Sequence, residues 1–224
     1  MAEVSMEKVK ELRQRTGAGI MDCKVALQES DADMEKAVEY IQKKGLAKAA
    51  KKAGAIAAEG VVHAYIHAGS RLGVLVEVNC QTDFVARSDD FKNYVESVGL
   101  QIASMNPLFV RRDEVPAAQV AKQREIFSAQ MDEEAAQTGK KKPADVTAKI
   151  LDGKIDKWLQ ETCLVEQVSV VDSEKTIQQL ADELTAKIGE KIAVRRFIRY
   201  ELGEGIEKPK SDLAAEVAAT ISGS

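Results

Sequence analysis

His63 and His67 stand four residues apart, the spacing at which two imidazoles on one helix bind zinc. That pattern also needs a glutamate after the first histidine as general base, and Ala64 stands there instead. The flanking residues alternate as a strand does. Strand histidines at this spacing share a face but lie ~13 Å apart, at ~3.3 Å per residue, too far to share an ion. They are read as solvent-facing strand residues, and neither a metal nor a cofactor is expected. Cys23, Cys80 and Cys163 are odd in number, far apart and without a CxxC pair. That argues against a disulfide framework or zinc module and fits buried, inert thiols in a reducing cytoplasm. Gly17-Ala18-Gly19 has the opening of a GxGxxG loop, but it follows a helix and lacks the third glycine. A helix-breaking turn is the simpler reading. The sequence has no GxxxxGK[ST] loop. With no acid–base pair in view, an enzyme is not expected.

Lys43, Lys44, Lys48, Lys51 and Lys52 form a basic cluster that could follow a phosphate backbone. Tyr40 is its only aromatic neighbour, and the formal net charge of the chain is -4. A solvated linker face is favoured, and no direct contact with nucleic acid is expected. The alternative is a non-catalytic nucleic-acid-binding or ribosome-associated module. A second alternative is an adaptor that binds helical partners through its N-terminal domain alone.

The elements that hold these residues make an α+β protein. With 45% hydrophobic and 30% charged residues in 224, the composition is that of a globular chain. No apolar run reaches the ~20 residues of a membrane helix, and the N-terminal run lacks the apolar stretch of a signal peptide. Residues 1–45 read as three short helices, with Val9 and Leu12 on the first and Ile20, Cys23 and Leu27 on the second. Met34, Val38 and Ile41 mark the third, which Gly45 is expected to end. Residues 46–60, rich in Ala and Lys, read as a partly helical linker. Residues 61–224 form the core. Val62, Ala64 and Ile66, then Leu72, Val74, Val76 and Val78, alternate around a Gly-Ser turn as a β-hairpin. Ser88 caps a helix striped by Phe91, Val95, Val98 and Ile102. Two long polar helices, 117–137 and 143–161, form a protruding hairpin. Its narrow apolar seam is Val120, Phe127 and Met131 against Val146, Ile150 and Trp158. A strand at 164–171, an amphipathic helix ending at Gly189, a strand at 192–202 and a last helix at 211–221 complete the pattern. The sheet is expected to be antiparallel, with helices on one face.

One segment asks for a function. After the strand ending in Asn79-Cys80-Gln81 come Thr82-Asp83-Phe84-Val85, at a corner between strand and helix. One reading folds Phe84 back as a core plug, with Thr82 or Asp83 capping a helical turn. The other holds an acid–aromatic pair outward to enter a partner's pocket.

The run TDFVAR after GVLVEVNCQ resembles the signature of the elongation factor Ts family. So do VKELRQRTGAGIMDCKVAL at 9–27, GLAKAAKKAGAIAAEG at 45–60 and FIRYELGEGIE at 197–207. Together these blocks span nearly the whole chain, in the family's order. The resemblance implies that residues 1–45 form a domain similar to ubiquitin-associated domains. It implies a guanine-nucleotide exchange factor for elongation factor Tu, which releases GDP by disturbing the GTPase's magnesium site. Thr82, Asp83, Phe84 and Val85 would carry that action. Val9, Leu12, Arg13, Ile20 and Met21 would be the N-terminal contacts, although Val9, Leu12 and Ile20 also suit the core of a small bundle. Longer family members carry two copies of the core unit and this chain fits one, so a homodimer is expected.

Overall fold

The computed structural model describes residues 4–139 and 143–206. The expected helix at 211–221 lies outside them. The N-terminal unit is α1 (Met6–Thr16), α2 (Ile20–Glu29) and α3 (Met34–Lys52). Ser5 and Asp33 cap α1 and α3 by accepting the amide hydrogens of Lys8 and Lys36. Val9, Leu12, Cys23, Ala26, Leu27 and Ala37 close a small apolar core between the three helices.

Gly45 does not end α3, which continues to Lys52 through much of the expected linker. The glycine serves a different purpose. A Cβ placed on it would lie 3.2 Å from the Ala186 Cβ, so its missing side chain lets α3 approach α8 (Ile177–Ile188). This close helix pair docks the N-terminal unit onto the core.

The sheet is antiparallel in the order β1 (Glu59–Ile66), β2 (Leu72–Cys80), β3 (Ala193–Glu201). A short helix α4 (Asp83–Arg87) leads from β2 into α5 (Asp89–Met105). Helices α5 and α8 cover one face, with Val74, Val76 and Val78 buried against Phe91, Val95, Val98 and Ile102. Ser88 caps α5 as its sequence implies. In β1 the expected facing is reversed, although His67, just past the strand, is exposed as expected. His63 and Tyr65 turn toward the helices, and the His63 Nε2 lies 2.7 Å from a Glu96 carboxylate oxygen. Val62 and Ile66 face outward. His63 is therefore half-buried rather than solvent-facing, because α5 covers that side of the strand.

Two other expectations change. In β3 a bulge inserts Arg195 and breaks the simple alternation. Glu77 pairs with Arg196 and Val78 with Val194, so the alternation shifts by one. Ile192 and Val194 point inward, and Ile198 and Tyr200 point outward. Residues 164–171 form no ladder strand. Leu164–Glu166 is a turn of 3-10 helix, and the following backbone is satisfied irregularly. The Gln101 side chain takes the Val170 amide hydrogen and donates to the Val168 carbonyl, at 2.8 and 3.1 Å. A buried glutamine thus replaces a strand partner.

Helices α6 (Ala117–Thr138) and α7 (Ala144–Thr162) form the projecting hairpin. Met131 and Ile155 are the buried residues of its seam, whereas Val146 is exposed. Arg112 ties the hairpin base to Glu166 and, at 2.6 Å, to Asp156.

The bulge places Arg195 and Arg196 on one carboxylate, Glu77, at 2.8 and 2.7 Å. Hydrogen bonds from Arg195 and then Arg196 pull the Glu77 pKa down to about 2. A carboxylate whose folded pKa is depressed stabilises the fold above its unfolded pKa, and that contribution fades as it protonates. The stability difference between wild type and Glu77→Gln should therefore hold at neutral pH and shrink between pH ~4.5 and ~2. Urea titrations of both proteins across that range check this.

Candidate functional site

The corner at the end of β2 is built against a backbone problem. Past Cys80 the chain leaves the ladder, so the next amide hydrogens need new acceptors. Glu190, at the start of the segment joining α8 to β3, supplies them. One carboxylate oxygen accepts the Gln81 and Thr82 amide hydrogens at 3.2 and 3.0 Å. The other accepts the Thr82 hydroxyl at 2.8 Å. Thr82 occupies the N-cap position of α4, but its hydroxyl is committed to Glu190 and does not cap the helix. Beside it, the buried Cys80 thiol lies 3.1 Å from the Thr82 carbonyl. Desolvation, with Glu190 nearby, raises the pKa of this thiol. Cys23 and Cys163 are also buried, and desolvation raises theirs, that of Cys163 to about 11. None of the three is a thiolate nucleophile in this fold.

Val85 packs against the core and Ala86 is buried, which pins the inner side of α4. The outer side is different. The Phe84 ring is 80% exposed, so it does not plug the core. Asp83 accepts a hydrogen bond from Arg87 at 2.7 Å, one helical turn on. Both side chains are solvated, and such a pair stabilises by only ~0.3–0.5 kcal/mol.

The N-terminal candidates divide. Val9 and Leu12 are sealed inside the helical core and present no surface. Arg13 is exposed on α1. Ile20, which the sequence also suited to the core, is 46% exposed at the start of α2, and Met21 is 69% exposed. The structure thus leaves Arg13, Ile20 and Met21 as an open surface near the α1–α2 turn.

Three of the five lysines of the basic cluster are paired within their own domain. Lys44 and Lys48 both contact Asp22, at 3.3 and 2.9 Å, and Lys43 contacts Glu39 at 3.6 Å. The hydrogen bond from Lys48 leads the effects that hold the Asp22 pKa below its ordinary value. Among the described residues, no three His, Cys, Asp or Glu side chains gather as a metal set, and no helix is long and apolar enough to cross a membrane.

The family model described as elongation factor TS matches residues 4–204. Elongation factor Ts of Desulforamulus reducens is 56% identical over 221 residues, 99% of each chain. That of Carboxydothermus hydrogenoformans is 52% identical over 218 residues, 97% of this chain and 98% of the relative. That of Myxococcus xanthus is 54% identical over 221 residues, 99% of each. The chain belongs to the elongation factor Ts family. It is therefore a member of a translation elongation factor family, and the exposed corner is a surface of such a factor.

Sequence reasoning missed Glu190. It lies 108 residues from Thr82, and nothing in the local pattern of either segment links them. The only signal was Gly189, which marks where α8 must stop and the chain must turn.

Because the Phe84 ring is solvated, Phe84→Ala should change folding stability by less than ~0.5 kcal/mol. Phe91→Ala, at a ring buried in the same helical layer, should lower it by ~3–5 kcal/mol. Urea denaturation of the two variants checks the contrast.

Proposed function

We propose that this chain is a guanine-nucleotide exchange factor for elongation factor Tu. In this reading Thr82-Asp83-Phe84-Val85 is the segment that loosens the GTPase's hold on magnesium and GDP. Family membership supports the partner. The observation that carries the segment is a large aromatic ring kept in solvent on a corner fixed by half-buried hydrogen bonds. Soluble monomeric surfaces expose single apolar residues often, but a rigid, solvated phenyl beside a weakly engaged carboxylate is equipped to enter a pocket.

The factor makes and breaks no covalent bond. Its work is coupling: exchange factor and nucleotide each weaken the other's binding by the same free energy. Phe84 wedges between elements of the GTPase, and burying it there contributes ~1.5–3 kcal/mol. That corresponds to roughly ten- to a hundredfold in affinity for the complex. Asp83 gives up its surface pair with Arg87 at little cost and turns toward the metal's surroundings. Arg13, Ile20 and Met21 add the second contact from the helical domain. Buried thiols and the exchange role both suit work in the cytoplasm.

We further propose that a second copy of the chain covers the open face of the sheet. On that face Ala64, Leu75 and Ile198 form one cross-strand row, and Ile66, Gly73 and Tyr200 form the next. Leu75, Ile198, Ile66 and Tyr200 are exposed. The adjoining row holds Glu77 with its two arginines, a charged border that is already internally paired. An apolar patch beside a charged but internally paired border suits an isologous, two-fold contact.

Phe84→Ala should fold normally and slow stimulated GDP release from elongation factor Tu by about ten- to a hundredfold. Stopped-flow release of a fluorescent GDP analogue measures it, and release at the wild-type rate would remove Phe84 from the mechanism. Ile198→Glu should convert a sedimenting dimer to monomer. A wild-type protein that sediments as a monomer at micromolar concentration would sink the second-copy proposal.

A further inference from the structure

We infer that Glu190 and Lys191 form a two-sided clamp that sets the Thr82–Val85 corner in register with the helical domain. They act as positioning residues for both partner contacts. This inference rests on the reading of those contacts given above.

The two residues are consecutive and reach opposite ways. Helix α8 ends at Gly189, whose φ of 85° is left-handed, a conformation that strains any residue with a side chain. The turn delivers Glu190 to the end of β2, where its carboxylate takes two amide hydrogens and the Thr82 hydroxyl. Hydrogen bonds to an ionised acceptor are stronger than neutral ones. The next residue closes the same joint twice. The Lys191 amide hydrogen goes to the Gln81 side-chain oxygen at 3.1 Å. Its ammonium donates to the carbonyls of Ala53 and Ala55, at 2.6 and 3.1 Å. Those carbonyls lie just past the C-terminus of α3, where a cation also complements the helix dipole.

Helix α3 is part of the bundle that presents Arg13, Ile20 and Met21, and Phe84 lies two residues beyond Thr82. One dipeptide is therefore bonded to the bases of both candidate contacts. Two contacts on bodies free to move would each lose orientational freedom on binding. Held in one geometry, the second contact forms at high effective concentration once the first is made. Lys187, one turn earlier, reinforces the joint by bonding Asp90 at 2.7 Å and lying against the Gly17 turn.

The test uses the full chain with Glu190→Ala, Glu190→Gln and Lys191→Met. Hydrogen–deuterium exchange reads the first jaw. In Glu190→Ala the Gln81 and Thr82 amides should exchange at least ~10-fold faster, while those of Val74, Val76 and Val78 keep their protection. Glutamine keeps an acceptor oxygen and an amide donor for the Thr82 hydroxyl, so Glu190→Gln should restore most of it. Paired spin labels at Glu29→Cys and Lys92→Cys read the second jaw, since the three native thiols are buried. Their distance distribution should be narrow in the parent and broad with Lys191→Met. Stimulated GDP release should then split. Glu190→Ala should lower the saturating rate by ~10-fold with little change in the half-saturating concentration, and Lys191→Met should do the reverse. Amides that exchange as in the parent, or a label distribution unchanged by Lys191→Met, would overturn the clamp. If Glu190→Ala does not fold, Thr82→Val removes one of the three donors, and unaltered exchange at Gln81 has the same force. Absence of any stimulated release by the parent would defeat the exchange reading instead, and exchange and label distances would still decide the clamp.

Discussion

Two backbone amides decide how this protein presents its corner. Where β2 runs out, Gln81 and Thr82 have donors and no neighbouring strand to accept them. An unsatisfied buried donor costs ~1–3 kcal/mol, so the chain either frays or finds an acceptor. A five-residue helix such as α4 cannot hold itself, because helix nucleation is unfavourable and so short a helix repays little of it. The rigidity of the corner is therefore borrowed. It comes from a carboxylate more than a hundred residues away, delivered by a left-handed turn at the end of the most amphipathic helix of the core.

That borrowed rigidity explains how an exposed aromatic can be useful. Phe84 and Phe91 lie seven residues apart in one helical layer, yet one ring is solvated and the other fully buried. The difference is the break at Ser88, which ends α4 and caps α5. Val85 and Ala86 satisfy the core on the inner side, which leaves the Phe84 ring facing solvent. A flexible loop bearing the same ring would lose more conformational freedom on binding and gain less net affinity. Here the ordering happens during folding, so in the proposed reading none of it falls on binding.

Much of this was legible in the sequence because the signals were local. The β2 alternation, the Ser88 cap, the paired long helices and the glycine at the end of α8 each follow from a few adjacent residues. What was not legible was non-local. Glycine at position 45 looks like a helix terminus, but it is a contact with Ala186, visible only once α3 and α8 are packed. The inserted Arg195 shifts the faces of β3, and nothing in IAVRRFIRYEL says where the extra residue falls. The apolar run at 164–171 has the composition of a strand, yet Gln101 occupies the bonding positions a partner would need. In β1, alternation identified a strand but not which face was covered. The histidine face lies under α5, and the aliphatic face is open.

The open face and the corner also have a spatial relation that follows from strand geometry alone. The apolar rows lie at the hairpin-turn end of the sheet, centred on Leu75, and the corner begins after Cys80. Five residues of strand separate them, ~17 Å at ~3.3 Å per residue. Between them stands the Glu77 row, whose paired charges on β2 and β3 resist desolvation, with the exposed Val62 completing it on β1. A surface seated on the aliphatic rows would thus stop short of Thr82 and leave Phe84 in solvent. The same central strand supports two unlike surfaces because its charged middle keeps them apart.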